Sequence, residues 1–289
     1  MNAKSRIERA LQAAVARGEA PGAPPRLAAA VRYALFPGGA RIRPRLCLSV
    51  AAACGDDDPD ATDGAAAAIE LLHCASLVHD DLPCFDDAAT RRGKPSVHKA
   101  FGEPLAVLAG DALIVAAFQA LACGAAASPG RLGALVAVVG GAAGMPLGIV
   151  AGQAWECEPE LDLASYQRAK TGALFTAAAA AGAAAAGAEP QSWRTMGERL
   201  GEAYQVADDI RDAVADEAEM GKPAGRDAAL GRPSAALRLG VAGAVAYLES
   251  LAADAVRAIP PCAGAAELRA LILGEMQRLM PRAAAQHAA

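Results

Sequence analysis

Residues 62–82 read TDGAAAAIELLHCASLVHDDL, a stretch dominated by alanine and leucine that contains two adjacent carboxylates, Asp80 and Asp81, near its end. Alanine is the best helix former and no proline occurs before Pro83, so the stretch predicts one long helix with the acids at its C-terminal end. Pro83 should distort the last turn. We therefore expect the next acid, Asp86, to swing back towards Asp80.

The rest of the chain indicates the same kind of structure. Its 289 residues are 54% hydrophobic but only 4% aromatic, which favours closely packed helices over sheets, and no convincing alternation of period two indicates a strand. We predict an all-α, single-domain helical bundle over residues 1–289. Further helical stretches, separated by short breaks rich in glycine, proline or aspartate, are predicted at 104–124, 131–143, 171–186, 191–216, 234–258 and 265–279.

Composition also bears on partners and location. The formal net charge of −5 argues against general nucleic-acid binding. The seven cysteines are scattered and form no C-x-x-C pair, as is typical of free thiols in a reducing cytosol. Residues 1–17 lack the apolar core of a signal peptide, and alanine-rich runs such as 176–188 are too weakly hydrophobic for confident membrane spans. We predict a cytoplasmic protein without stable membrane insertion.

A second acidic cluster, DDIRD at residues 208–212, occurs far along the chain. Its outer acids, Asp208 and Asp212, are four residues apart and share a helix face. Carboxylates packed this densely repel one another, and a hard divalent cation such as Mg²⁺, which takes carboxylate, phosphate and water oxygens, is the usual reason to keep them together. A third acidic run at residues 56–58 lies between Gly55 and Pro59 and predicts a solvated turn instead.

Basic side chains accompany both clusters. Arginine and lysine bind phosphate oxygens by charge-assisted hydrogen bonds. His73 precedes Asp80 by about two helical turns and should share its face. Together these groups predict a metal-assisted clamp for a diphosphate. The basic residues are Arg91 and Arg92 after the first cluster, Arg41 and Arg43 after a glycine pair at a helix start, Lys170 at another predicted helix start, and Lys222, Arg226 and Arg232 after the second cluster.

Several segments together carry a family resemblance: HDDLP at 79–83, RRGKP at 91–95, LAGD at 108–111, KTGAL at 170–174 and YQVADD at 204–209. In this order and spacing they resemble the trans-isoprenyl diphosphate synthases. FPGGARIRP at 36–44 with AGQAWE at 151–156 resembles the geranylgeranyl diphosphate synthases of bacterial carotenoid pathways. The resemblance implies a bundle of the isoprenoid synthase type around a deep central cavity, a homodimer, and condensation of isopentenyl diphosphate with dimethylallyl, geranyl or farnesyl diphosphate.

The resemblance also implies roles for individual residues, in a reaction that ionises the allylic diphosphate to a carbocation. Three Mg²⁺ ions, with Mn²⁺ as an alternative, would be held by Asp80, Asp86 and Asp208, helped by Asp81, Asp209 and Asp212. The departing diphosphate would be stabilised by Arg91, Lys170 and Lys222, and the carbocation would be steadied by Thr171 and Gln205. Isopentenyl diphosphate would be bound by Gly39, Arg43, His73 and Arg92, and Arg232 is a further substrate-binding residue.

Three positions depart from the family's pattern. Ala40 stands where the family usually has lysine, so one contact to isopentenyl diphosphate is missing unless Arg41 or another cation substitutes. A charge-assisted hydrogen bond is worth about 1.5–3 kcal/mol, so the affinity should otherwise fall, although the carotenoid-type relatives share this alanine. Arg226 and Arg232 stand where lysines are common, which keeps the charge but changes its geometry.

The product length depends on the helix that ends in the first acidic cluster. Ala75 and Ser76 lie one turn below the acids, where farnesyl synthases of this family place an aromatic floor. A small residue there lets the tail pass about 5.4 Å further, until Leu71, Leu72 or Phe118 stops it. This favours a C20 product over C15. Alternatively, Ala75 simply packs against a neighbouring helix.

Three classes of function remain open: an active prenyl-elongating transferase, a terpene cyclase on the same fold, and a non-catalytic regulatory subunit. Cyclases normally replace the second cluster with an Asn/Ser/Glu pattern, which residues 208–212 do not show. Regulatory subunits tend to lose the acids, all of which are present here. We therefore favour a transferase that makes geranylgeranyl diphosphate, with a farnesyl diphosphate synthase as the alternative.

Overall fold

The computed structural model describes residues 2–160, 162–214 and 234–279, and within these ranges the chain is almost entirely helical. The predicted all-α architecture is confirmed. The helices are α1 (Ala3–Gly18), α2 (Pro25–Leu35), α3 (Ile42–Cys54), α4 (Pro59–Asp80), α5 (Val97–Phe101), α6 (Glu103–Gly124), α7 (Pro129–Ala143), α8 (Ile149–Ala154), α9 (Leu163–Gln167), α10 (Ala173–Ala185), α11 (Arg194–Val214), α12 (Ala235–Arg257) and α13 (Ala265–Leu279). Short 3₁₀ segments span Trp155–Cys157 and Pro190–Trp193, and a π-helical turn spans Arg168–Gly172.

Helix α4 contains most of the stretch that predicted the fold. It begins at Pro59 rather than at residue 62 because Asp58 caps its N-terminus, accepting a hydrogen bond from the backbone N–H of Ala61 at 3.1 Å. It ends at Asp80, so the first acidic cluster lies at a helix C-terminus as predicted. The backbone N–H of Asp86 donates to the carbonyl oxygen of Asp80 at 2.9 Å. The loop therefore folds back as Pro83 suggested.

Helix α10 lies at the centre of the core. Every residue from 174 to 185 is buried, as expected for a helix that is apolar on all sides. Small residues let its neighbours come close, since a Cβ added to Gly182 would lie 2.4 Å from the carbonyl oxygen of Cys47 on α3. The buried apolar residues form one cluster that includes residues of both α1 and α13.

The prediction that residues 170–172 begin a helix is wrong. They belong to the π-helical turn Arg168–Gly172, which joins α9 to α10 without a break. Gly172 has helical backbone angles, φ −70° and ψ −38°. A Cβ added to Gly201 of α11 would lie only 2.8 Å from the Cα of Gly172. The glycine therefore allows two helices to approach each other.

A short β-hairpin, which the sequence pattern did not indicate, follows the first acidic cluster. Its strands, β1 (Thr90–Arg91) and β2 (Lys94–Pro95), pair antiparallel. Arg92 and Gly93 form the turn with φ of 53° and 75°, the left-handed backbone typical of a two-residue hairpin loop. Strands of two residues are too short to show an alternation of period two.

The acidic run at residues 56–58 forms the turn that the sequence predicted, and its side chains hold neighbouring helices. Asp56 pairs with Arg6 of α1 at 2.9 Å. Asp57 pairs with Arg131 of α7 at 2.8 Å. With Asp58 acting as the cap of α4, each of the three acids has a structural role.

Within the described residues, two helices are long and apolar enough to cross a membrane by length and composition, α6 and α12. Of their most apolar windows, 39% and 33% respectively are buried inside the protein. A core helix of a soluble protein passes the same test, so this is weak evidence. The absence of stable membrane insertion stays a prediction.

Candidate active site

The carboxylate of Asp80 lies at the C-terminal end of α4 and is largely buried. It accepts a hydrogen bond from Nε2 of Gln153 at 2.9 Å, and Nζ of Lys170 lies 3.4 Å from the same oxygen. Burial raises the pKa of Asp80, while Lys170 and Gln153 act in the opposite direction. The charged form of this acid thus depends on positive charge beside it.

Asp81 contacts a different partner. Its side chain is buried and accepts a hydrogen bond from Nε of Arg91 at 3.0 Å. Burial lowers the pKa of the Arg91 guanidinium, but Asp81, Asp80 and Asp86 together outweigh this and leave the pKa raised. The hairpin that carries Arg91 is therefore anchored directly to the end of α4.

Three residues that sequence reasoning did not assign to the site lie beside Asp80 or its partner Lys170: Gln153 on α8, Glu156 on the following 3₁₀ turn, and Tyr166 on α9. Glu156 accepts hydrogen bonds from Lys170 at 2.7 Å and from the hydroxyl of Tyr166 at 2.6 Å. A Cβ added to Gly152 would lie 2.4 Å from the backbone nitrogen of Lys170, so α8 packs directly on the π-helical turn. The segment AGQAWE at 151–156, which carries part of the family resemblance, was the sequence signal that could have placed Gln153 and Glu156 in the site. We call Asp80, Asp86, Gln153, Glu156 and Lys170 the acid half of the site.

The second acidic cluster lies near the C-terminal end of α11, as predicted, and its members differ. Asp208 is half exposed and pairs with Arg211, whereas Asp209 is buried. Asp209 accepts hydrogen bonds from Nε2 of Gln205 at 2.9 Å and from the backbone N–H of Ala235 at 2.7 Å. It thus joins α11 to the N-terminus of α12. Asp212 is partly buried.

Adjacent residues of the π-helical turn link the two clusters. Lys170 contacts Asp80 of the first cluster. The hydroxyl of Thr171 donates to Oε1 of Gln205 at 2.7 Å, and Gln205 in turn contacts Asp209. Both clusters therefore lie at the same end of the bundle, with a cation between them.

Gly39, Arg43, His73 and Arg92, which we call the anion pocket, lie close together. Arg43 lies over the rings of Phe175 and Tyr204, at 4.6 and 5.6 Å, and its Nη1 is 3.5 Å from Nε2 of His73. A Cβ added to Gly39 would lie 3.2 Å from the guanidinium of Arg92. The residues are therefore grouped as the sequence predicted.

The electrostatics of the anion pocket suit an anionic ligand. Burial and the neighbouring guanidinium of Arg43 hold the pKa of His73 well below its ordinary value, and burial also lowers the pKa of Arg43. Nε of Arg43 is buried and finds no hydrogen-bond partner in the part of the chain that the structure describes. Such an unsatisfied donor costs about 1–3 kcal/mol, and a phosphate oxygen would remove this cost.

Arg41 does not replace the missing lysine at position 40. Its side chain is buried and pairs with Glu70 at 2.6 Å and Glu8 at 2.9 Å. Of the cations that could substitute, Arg41 is therefore already engaged. A buried guanidinium must be paired with acceptors, and all three nitrogens of Arg41 donate to acceptors within the protein.

Three of the residues predicted to set product length lie on α4 next to the acid half. Ala75, Ser76 and Leu72 are all buried. The hydroxyl of Ser76 donates to the carbonyl oxygen of His73 at 2.8 Å, and Nε2 of Gln153 donates to the carbonyl oxygen of Ser76 at 2.9 Å. A buried Ala75 is compatible with a channel floor and also with simple packing, so both interpretations stay open.

The donor chemistry fits a divalent cation, since Asp80 and Asp86 offer carboxylate oxygens close enough to influence each other electrostatically. Over residues 2–160, 162–214 and 234–279, no group of three or more His, Cys, Asp or Glu side chains is already arranged as a metal site. Mg²⁺ usually binds through one or two carboxylates and shares its other sites with phosphate and water. Lys222, Arg226 and Arg232 lie outside the described residues.

This combination of an all-helical core, two acidic helix ends and a pocket of cations defines a class of enzyme that handles diphosphates. The family model described as polyprenyl synthetase matches residues 24–251. The chain belongs to the polyprenyl synthetase family.

Relatives and solved structures agree with this membership. The chain is 54% identical over 278 residues to the geranylgeranyl diphosphate synthase of Cereibacter sphaeroides, covering 96% of each chain. It is 53% identical over 272 residues to that of Rhodobacter capsulatus, covering 94% of each. Its fold is similar to geranyltransferase from Legionella pneumophila (TM-score 0.79, 29% identity, 96% and 94% covered) and to geranylgeranyl pyrophosphate synthetase from Pyrococcus horikoshii (TM-score 0.75, 27% identity, 95% and 96% covered).

Proposed function

We propose that this chain condenses isopentenyl diphosphate with an allylic diphosphate, head to tail, and releases geranylgeranyl diphosphate. The observation that carries the proposal is the linkage of the two acidic clusters through Lys170 and Thr171, next to a pocket of guanidinium groups. Carboxylates for metal ions and cations for diphosphate thus lie at one end of the bundle. The names of the two bacterial relatives favour the C20 product.

Ionisation of the allylic diphosphate is assigned to the acid half and the second cluster. Asp80, Asp86 and Asp208 would hold divalent cations, for which we propose three Mg²⁺ ions, with Mn²⁺ as an alternative. When bound, such ions neutralise the charge that develops on the leaving diphosphate. Lys170, held between Asp80 and Glu156, supplies a fixed positive charge in the same place. Arg91 and Lys222 complete the set of cations that we propose to stabilise the departing diphosphate.

The carbocation would be steadied by Thr171 and Gln205. The hydroxyl proton of Thr171 is directed to Oε1 of Gln205, which leaves the hydroxyl lone pairs available to face positive charge. Asp209 fixes the other end of the Gln205 amide. We therefore propose that Asp209 acts by positioning Gln205 rather than by contact with a metal ion.

The co-substrate would bind in the anion pocket. Its diphosphate accepts hydrogen bonds from Arg43, whose Nε lacks an acceptor within the described chain, and from Arg92. Gly39 leaves room for the Arg92 side chain. The double bond then attacks the carbocation, and the released diphosphate takes the final proton. Water must be excluded until this step, because it would quench the cation.

The test is product analysis. Purified protein is incubated with Mg²⁺, isopentenyl diphosphate and a C5, C10 or C15 allylic primer, and the products are dephosphorylated and separated by chain length. We expect C20 from every primer that is accepted. A C15 end point supports the farnesyl diphosphate alternative. No elongated product with any primer contradicts the transferase and leaves the regulatory-subunit alternative.

The length of the product has its own test. Ala75→Phe or Ala75→Tyr should place a ring one turn below Asp80 and shorten the product to C15, because one turn of about 5.4 Å corresponds to roughly one isoprene unit. Ala75→Ser is the matched control, since a small polar side chain leaves the space open. A C20 product from the aromatic variants would instead show that Ala75 only packs against its neighbours.

We further propose a cytoplasmic homodimer of single-domain subunits that supplies carotenoid synthesis. The support is the apolar outer face of α6, where Val107, Leu108 and Val115 are 42%, 49% and 56% exposed. A second copy of the chain would cover this face. Light scattering after size-exclusion chromatography should give twice the 29.0 kDa chain mass. Retention on phospholipid vesicles with a monomeric mass would contradict both the dimer and the absence of membrane insertion.

A further inference from the structure

Arg41 is joined to three different parts of the fold. It precedes α3 in a left-handed conformation with φ of 52°, and its side chain is buried. Nη1 donates to Glu70 of α4 at 2.6 Å, Nε to Glu8 of α1 at 2.9 Å, and Nη2 to the carbonyl oxygen of Leu35 at the end of α2 at 2.9 Å. All three guanidinium nitrogens are therefore used.

The glycine pair before Arg41 makes this geometry possible. A Cβ added to Gly38 would lie 2.1 Å from the guanidinium carbon of Arg41, so only glycine allows the loop to fold over the charged group. The next residue, Gly39, lies against Arg92 of the anion pocket, where an added Cβ would be 3.2 Å from the guanidinium. The loop is thus fixed on one side by Arg41 and presents its other side to the pocket.

Glu70, the partner of Arg41, connects Arg41 to the anion pocket through helix α4. Glu70 is buried and lies three residues before His73 on α4, on neighbouring positions of one face. Arg43 lies two residues after Arg41 on α3 and is 3.5 Å from His73. One ion pair therefore fixes both sides of the anion pocket, the side on α3 and the side on α4.

We propose that the Arg41–Glu70 ion pair is a positioning element for the diphosphate of isopentenyl diphosphate, which holds Arg43 and His73 at the separation that the ligand requires. Neither residue touches the ligand. The pair holds together a pocket whose own groups, Arg43 and Arg92 beside His73, do not attract one another. The inference rests on the proposed function only for the identity of the ligand.

The test measures binding without turnover, because isopentenyl diphosphate cannot react when no allylic primer is present. Arg41→Lys keeps the charge but loses the fork that reaches three acceptors, and Glu70→Gln keeps an oxygen acceptor but loses the charge. We expect both variants to raise the Kd for isopentenyl diphosphate, by calorimetry, about tenfold or more, since small displacements of binding groups are costly. In turnover assays the KM for isopentenyl diphosphate should rise while the KM for the allylic primer stays within about twofold.

Arg6 provides a matched control. It too donates from three nitrogens to three acceptors, Asp63, Asp56 and the carbonyl oxygen of Pro59, and it joins α1 to the opposite end of α4. Arg6→Lys should lower the melting temperature comparably but leave the Kd unchanged. Equal weakening by Arg6→Lys, or an unchanged Kd in both Arg41→Lys and Glu70→Gln, would overturn the positioning role.

Glu8→Gln is a milder variant that tests the same contact if Arg41→Lys or Glu70→Gln does not fold. Glu8 is 32% exposed at its side chain, so its loss is tolerated more easily than the loss of Glu70. Weaker binding by about twofold to threefold is expected, because one of three hydrogen bonds to Arg41 changes from charged to neutral. If the wild-type protein binds the diphosphate but makes no product, the proposed reaction fails, while the dependence of binding on Arg41 still decides the positioning role.

Discussion

The acid half and the anion pocket both contain residues of helix α4, yet they handle charge in opposite ways. In the acid half a cation lies between acids: Lys170 pairs with both Asp80 and Glu156. In the anion pocket burial and the guanidinium groups of Arg43 and Arg92 hold the pKa of His73 low. The acid half therefore contains ion pairs of its own, whereas the charged groups of the anion pocket are all cations.

This difference shows which contacts keep each half of the site rigid. The acid half is held by hydrogen bonds among the groups that would do the chemistry, with Gln153 bonded both to Asp80 and to the backbone of α4. The anion pocket is held from behind, by Arg41 and Glu70. Loss of a group from the acid half should therefore damage catalysis itself, whereas changes around the anion pocket should mainly alter binding.

The largest effect is expected from the acid half. Asp80→Asn removes a negative charge that would bind metal and that also pairs with Lys170. We expect kcat to fall at least about 10²–10³-fold, the range observed when one group that stabilises developing charge is removed. Steady-state assays with saturating Mg²⁺ measure this. A KM effect alone, with kcat preserved, would place Asp80 outside the ionisation step.

Gln153 should give the next largest effect. Gln153→Leu leaves the carboxylate of Asp80 and the carbonyl oxygen of Ser76 without their shared amide donor. We expect the Mg²⁺ concentration for half-maximal activity to rise about 10–100-fold, as for other residues that orient metal ligands. Gln191→Leu, at an exposed position of the 3₁₀ segment Pro190–Trp193, is the control. Equal metal dependence in both variants would contradict a positioning role for Gln153.

The local features of this molecule were the ones that could be predicted from sequence. The helix that ends at Asp80 and the return of Asp86 depend on alanine content and on Pro83, all within one short stretch. Gln153 could not be placed in the same way, because the hydrogen bond to Asp80 joins residues 73 positions apart. Contacts of that kind depend on how α8 packs against α4.

Two differences between expectation and structure have the same origin. Residues 170–172 were predicted to begin a helix, yet they lie inside a continuous helical run, where Gly172 lets Gly201 on α11 approach closely. Arg41 was considered as a ligand for substrate, yet it is bonded to Glu70, 29 positions away. A glycine or an arginine has several uses, and only the tertiary neighbours decide which one applies.

A variant with an added cation tests the comparison between the two halves at the anion pocket. Ala40 is exposed and carries no charge, so Ala40→Lys should add a cation to the co-substrate side. We expect the KM for isopentenyl diphosphate to fall about threefold to tenfold, less than a fully buried charged hydrogen bond would give, because solvent screens the contact. The KM for the allylic primer should not change, and Ala40→Gln provides a control of similar length without charge. Equal effects of lysine and glutamine would contradict an electrostatic contribution.

The smallest effect concerns pH and His73. Burial and the guanidinium of Arg43 hold the pKa of His73 well below its ordinary value of 6.5, so the folded protein keeps the ring neutral where the unfolded chain would bind a proton. The stability that this provides is present above about pH 6.5 and is lost as the pH falls below it. We expect His73→Asn to reduce the loss in free energy of unfolding between about pH 6.5 and 5 by about 1 kcal/mol, measured by urea titration. If wild type and variant lose the same stability over this range, the pKa of His73 is not lowered in the folded protein.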